Sequence, residues 1–217
     1  GLIVDDAHRF DEQALLAFAR EINEGLDACG YPLCKGGIMA SNPKWCLPLS
    51  GWQALFDGWI DRGDPQSLLE ANIFFDFRAL WGEAALAEAL RVDIAGRAKG
   101  NPRFLKQMSD NALTVRPPLN WMGEISAKED DRGVAGIDLK FSGTAAFVDG
   151  ARILSLASGV TATNTVERLQ AAGAAKGIAE GEINAWTDAF EYLQFLRLRT
   201  QHRRASGLLP ASESLNL

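Results

Sequence analysis

The spacing of apolar positions changes along this chain, and the change divides it into two regions. The opening run Gly1-Leu2-Ile3-Val4 ends on Asp5-Asp6, the pattern of a strand finishing at a polar edge. Behind it Leu15, Phe18, Ala19, Ile22 and Leu26 recur at helical spacing, with Asp11 placed to cap the helix and Gly30 to end it. Tyr31 to Ala40 reads as a strand with a Gly36-Gly37 pair inside, the mark of a bulge or a close backbone approach. Asn42-Pro43 combines a cap with a first helical position, and Trp52, Leu55, Phe56 and Trp59 form the stripe of the next helix. Asp64-Pro65 opens a further short helix. It leads into Asn72-Ile73-Phe74-Phe75-Asp76-Phe77-Arg78, an almost unbroken apolar and aromatic run that reads as a strand. Alternation then puts Ile73, Phe75 and Phe77 on one face and Phe74, Asp76 and Arg78 on the other.

From Gly82 onward strands become scarce. Glu83 to Ala98 and Asn101-Pro102 to about Leu113 read as helices, and Pro117-Pro118 with the charged run Lys128 to Arg132 marks 116–135 as a loop or linker. Helices follow over about Gly143 to Ser158, from a capping-box-like Asn164 and Glu167, and from about Gly181 to Arg204. On the last helix Ile183, Trp186, Phe190 and Leu193 form one apolar face and Tyr192, Phe195 and Leu198 another, which predicts a helix inside a bundle. The order of elements gives an α+β protein: an α/β region over 1–81, then an all-α bundle over 82–217.

Composition narrows the function classes. The chain has 217 residues, 47% of them hydrophobic and 23% charged, as in ordinary globular proteins. A net charge of -6 argues against broad binding to the phosphate backbone of nucleic acid. No apolar run has the length of a membrane span, and no charged-then-apolar leader opens the chain. The spacing of Cys29, Cys34 and Cys46 fits no common zinc pattern. An odd cysteine count points to reduced thiols and a cytoplasmic setting. A start in mid-strand suggests a piece of a longer protein.

A carboxylate amid apolar side chains is costly unless it is paired, hydrogen-bonded or metal-bound, so Asp76 is either half of a structural ion pair or a catalytic metal ligand. Arg78 on the same predicted face suits a phosphate contact or the orientation of Asp76. Gly36-Gly37 with Lys44 near a helix start suits a phosphate cradle, although a bulge plus a helix cap explains it equally well. In the helical region Asp138 and Lys140 precede a helix, Asp149 and Arg152 face together on it, and Arg168 lies on the next. Their bland reading is helix-surface ion pairing.

Three long runs carry a family resemblance. They are Lys35-Gly36-Gly37-Ile38-Met39-Ala40-Ser41-Asn42-Pro43-Lys44-Trp45, Ile73-Phe74-Phe75-Asp76-Phe77-Arg78, and Ile137-Asp138-Leu139-Lys140 followed by Val148-Asp149-Gly150-Ala151-Arg152. With them the chain resembles the C-terminal part of the DUF294-type nucleotidyltransferases, which are similar to the PII-protein uridylyltransferases. The resemblance implies a nucleotidyltransferase region followed by a helical substrate-binding domain, often preceded by cyclic-nucleotide-binding-like and CBS domains that act as upstream sensors. It implies transfer of a nucleoside monophosphate from an NTP, with Mg²⁺, to a protein or small-molecule acceptor. Asp76 matches the third acid of the superfamily's metal site; on that reading Arg78 and Lys44 would contact phosphates, with Gly36-Gly37 as the candidate cradle, and Asp138, Lys140, Arg152 and Arg168 would line an acceptor or interdomain surface. The Gly-Ser and Asp-x-Asp motifs of that site do not occur before Asp76. These residues by themselves are therefore expected to be inactive, and the other expectation is a non-catalytic regulatory or interaction module.

Overall fold

In the computed structural model of the protein, which describes residues 1–126, 128–129, 135–208 and 215–216, the opening run forms strand β1, Leu2–Val4. It pairs in parallel with β2, Cys46–Pro48, in the register Leu2 opposite Cys46 and Val4 opposite Pro48. A parallel pair needs a crossover, and helix α1, Glu12–Ala28, supplies it. Asp11 caps α1 by accepting from the Gln13 and Ala14 N–H groups. The chain divides into two compact units, Gly1–Arg97 and Ala98–Leu217, and each is described by itself.

The first unit departs from the sequence reading in two segments. Residues 31–40, expected as a strand, form turns and irregular chain. Gly37 takes the left-handed conformation at φ 69°. Asn42 closes the loop by donating from Nδ2 to the Gly37 carbonyl at 3.0 Å and accepting from the Lys44 N–H at 3.0 Å. Local side-chain bonding of this kind competes with strand pairing. Pro43–Trp45 is then a single 3-10 turn that leads straight into β2.

Helix α2, Leu49–Arg62, starts where Asp6 accepts from the Ser50 N–H at 3.0 Å and ends at Gly63, φ 59°. Helix α3, Pro65–Phe74, starts where Asp64 accepts from the Ser67 N–H at 3.0 Å. It runs through the first half of the segment expected as a strand, and Phe75 and Asp76 form the turn that follows. Asp76 and Arg78 therefore do not share the face of a strand. A short apolar run fits a buried helix as well as a strand, and packing decides between them.

That packing is aromatic. Trp45, Trp52, Phe56, Trp59, Phe74 and Phe75 are buried. Ring centroids lie 4.4 Å apart for Trp45 and Phe74, 4.9 Å for Phe56 and Trp59, and 5.5 Å for Phe56 and Phe75. Such pairs contribute about 0.5–1.5 kcal/mol each beyond their area, and a helix is what brings Phe74 and Phe75 onto Trp45 and Phe56. The Trp52 indole donates to the Leu2 carbonyl at 2.8 Å, which ties β1 to α2. Helix α4, Ala84–Lys99, follows, with Ala87, Leu90 and Ile94 buried. The first compact unit takes in most of this helix, so its edge lies beyond the 81/82 division read from the sequence.

In the second unit, α5, Pro102–Ala112, is capped by Asn101, which accepts from the Phe104 N–H at 3.0 Å. The predicted loop holds a bridge between Leu119 and Ile125. Most of its charged run, Lys128 to Arg132, lies outside the described residues. Strands β3, Lys128–Glu129, β4, Ala135–Ile137, and β5, Leu215–Asn216, form a small antiparallel sheet. A π-helical turn, Lys140–Thr144, opens α6, Ala145–Ser158, and α7, Thr165–Ala175, and α8, Glu180–Ala205, complete the unit. Helix α6 packs on α5 and α7, and α7 packs on α8. The architecture is α+β and mostly helical. One expectation for α8 fails: Ile183 and Phe190 are buried, but Tyr192, Phe195 and Leu198 on the other face are 62%, 55% and 66% exposed.

Candidate functional site

The first unit holds a cavity of about 1150 Å³ beside β1. Most of its wall is apolar, from Ile3, Phe18, Ile22, Phe56, Phe77 and Leu86 among others. This explains why the α1 stripe is only half covered: Phe18, Ile22 and Leu26 are 44%, 49% and 47% exposed, and all three line the cavity. The charged or ionisable side chains on the wall are Asp5, His8, Arg78 and Glu83. The volume lies just above the usual range of small-ligand sites, about 300–1,000 Å³, and a mostly apolar wall with a few polar groups is their usual chemistry.

Asp5 stands at the C-terminal end of β1, where open parallel sheets place their ligands. Its carboxylate accepts from the Ala7 N–H at 3.0 Å and lies 3.1 Å from the His8 ring. The Ala7 N–H, with a smaller contribution from His8, holds the Asp5 carboxyl below the usual carboxylate range. Asp5 is therefore an ionised acceptor at neutral pH. Arg78, exposed after α3, puts a fork of donors on the same wall, suited to an oxyanion. Asp6, next to Asp5 in sequence, is spent on capping α2.

The other residues singled out in the sequence lie elsewhere. Asp76 is exposed in the turn after α3 and does not line the cavity. Nor do Gly36, Gly37 and Lys44. The Gly37 N–H donates to the Cys34 carbonyl at 3.0 Å, so it is engaged within its own loop. Lys44 Nζ contacts Glu70 at 2.7 Å and sits 4.6 Å from the centroid of the Trp45 ring. Glu70 accepts through its second oxygen from the Trp59 indole at 3.1 Å. It thus joins three elements, a role that no spacing in the sequence signalled.

In the second unit Asp138 caps the turn before α6, accepting from the Lys140 and Phe141 N–H groups at 2.8 and 3.0 Å. Lys140 is exposed, its Nζ 5.2 Å from the Phe141 ring centroid. Arg152 is 4% exposed and donates to Asp149 at 2.6 Å. Arg168 is 5% exposed and donates from Nε to the Ala162 carbonyl at 2.7 Å. Two buried guanidiniums on adjacent helices were read from the sequence as surface groups. A charge this deep is kept by its hydrogen bonds and signals fixed architecture.

Among the described residues no group of three or more His, Cys, Asp or Glu side chains could hold a metal ion. No described helix is long and apolar enough to cross a membrane. Family models match both ends of the chain. One described as Putative nucleotidyltransferase DUF294 matches residues 1–66, and one described as Putative nucleotidyltransferase substrate binding domain matches residues 102–217. No curated protein and no solved structure matches the chain.

Proposed function

The chain belongs to the DUF294 nucleotidyltransferase family, and on that footing we propose that it serves the transfer of a nucleoside monophosphate from an NTP to a protein or small-molecule acceptor. The single observation that carries the reading is the order of the two family matches, a transferase region followed by a substrate-binding region. The geometry of the first unit is compatible with it. A cavity of nucleotide size opens at the end of a parallel strand, with Arg78 on its wall for a phosphate and apolar side chains for a base. In this reading the helical unit binds the acceptor, with Asp138 and Lys140 at its accessible edge and the buried Arg152 and Arg168 holding its frame.

Mg²⁺ is the metal expected of such a transfer, but the described residues do not make its site, since they hold no cluster of three ligands. Asp76 offers one carboxylate at most, too few to route a step through a metal. The reading assigns the remaining carboxylates to residues outside those described. By the same observation Lys44, ion-paired to Glu70, is left a structural role more readily than a phosphate contact. The engagement of Lys44 with Glu70 and the burial of Arg152 and Arg168 favour a second reading, a regulatory or interaction module without transferase activity. Incubating the intact protein with Mg²⁺, each labelled NTP and candidate acceptors separates the two. Covalent incorporation supports transfer. Intact protein that binds NTP without turnover, or does not bind it, leaves the regulatory module.

A further inference from the structure

Helix α8 has 26 residues, so it is about 39 Å long. Its buried residues, Ile183, Thr187, Phe190 and Thr200, lie on the side facing the rest of the second unit. On the opposite side Tyr192, Phe195 and Leu198 stand open, each more than half exposed. At 100° per residue Tyr192 and Leu198 fall about 60° to either side of Phe195, so the three form one stripe. Large apolar groups clustered on one helix face signal contact with another surface.

The acidic and basic side chains along that stripe identify the partner. Asp188 and Glu191 lie on it toward the N-terminal end, and Arg199 and His202 lie on it toward the C-terminal end, all four exposed. All four fall within about 40° of the Phe195 direction. Counted outward from Phe195, acid and base sit at matching distances: Glu191 is four residues before and Arg199 four after, Asp188 seven before and His202 seven after. A two-fold axis through Phe195 therefore sets Glu191 against Arg199 of a second copy, Asp188 against His202, and Tyr192 against Leu198. A parallel pairing would set Asp188, Glu191 and Arg199 each against its own like charge, which is destabilising. A self-complementary patch of this kind is what a two-fold interface requires.

We propose that this stripe of α8 is a homodimer surface, on which a second copy of the chain docks antiparallel with the two Phe195 rings meeting at the symmetry axis. The stripe from Asp188 to His202 spans about 21 Å, which places the contact at the small end of specific interfaces and makes the dimer concentration-dependent. This inference does not depend on the transferase reading.

Sedimentation equilibrium of the chain at increasing concentration tests it. The wild type is expected to pass from monomer to dimer. Phe195→Glu, which brings two carboxylates together at the axis, is expected to weaken association by about tenfold or more. Glu191→Arg is expected to weaken it by facing Arg199 of the partner, and adding Arg199→Glu to the same chain is expected to restore it. All these positions are exposed, and unchanged far-UV circular dichroism will show that the variants fold. A chain that stays monomeric at every concentration overturns the proposal, as does a dimer indifferent to Phe195→Glu. A double variant no tighter than Glu191→Arg alone overturns the antiparallel arrangement.

Discussion

Lys44 and Glu70 stand 26 residues apart in the chain and 2.7 Å apart in space. The contact closes a small network, because the second Glu70 oxygen accepts from the indole of Trp59, a residue 1% exposed. Replacing Glu70 with Ala leaves that indole without its acceptor and Lys44 without its counter-charge. The expected loss is about 1–3 kcal/mol, the usual cost of a stranded buried donor, and urea unfolding of the variant measures it. Lys44→Ala should cost less than about 1 kcal/mol, because its side chain is half exposed.

Gly173 on α7 faces Ile183 on α8, and a Cβ at this glycine would lie 2.8 Å from the Ile183 side chain. Gly173→Ala should therefore destabilise the second unit by about 1–3 kcal/mol, although alanine favours a helix. Adding Ile183→Val should recover part of the loss. Thermal unfolding of the single and double variants checks both statements.

Arg152 is 4% exposed and bonded to Asp149. Arg152→Ala removes a buried side chain and its hydrogen bonds, for an expected loss of about 1–3 kcal/mol, since the Asp149 carboxylate left behind is 31% exposed. Arg152→Lys should rescue little of this, since an ammonium does not reproduce the planar donor fork. If Arg152→Ala unfolds at the same urea concentration as the wild type, the buried guanidinium has no structural role.

Asp57 on α2 faces Arg97 of α4 at 2.7 Å, but its Oδ1 lies off the hydrogen-bond direction. Burial pushes its carboxyl above the usual range, Arg97 pulls it partly back, and Asp93 and Asp61 add to the rise. With the folded value above the unfolded one, the native state binds the proton more tightly. Stability from this group is present below the unfolded pKa and is lost as pH rises through the folded one. Asp57→Asn should remove that dependence. Compared with the wild type, it should be no less stable at pH 7, by up to about 1 kcal/mol, and lose that advantage near pH 3. Unfolding of both proteins across this pH range shows whether the sign is right.

What could be read from the sequence depended on how local each signal was. The caps at Asp11, Asn101 and Asn164 work within three residues, and all three hold. The fate of the run from Asn72 to Arg78 depended on packing of Phe74 and Phe75 against Trp45 and Phe56, partners many residues away. Periodicity could not supply that information. The two apolar faces of α8 were legible, but their unequal exposure was not. For the candidate site, Asp5 was visible as an acid at a strand end, whereas its His8 contact and the cavity around Arg78 arise only on folding.

The most direct test of the transferase reading is covalent nucleotide incorporation by the intact protein, with Mg²⁺ and labelled NTPs, compared with its Arg78→Ala variant. Arg78 lines the cavity, and the reading predicts incorporation that falls by about 100-fold or more in the variant, the scale of losing one preorganised charge at a reacting centre. Incorporation at the wild-type rate in Arg78→Ala would contradict the phosphate role given to Arg78, and an intact protein that transfers no nucleotide to any acceptor would contradict the reading itself.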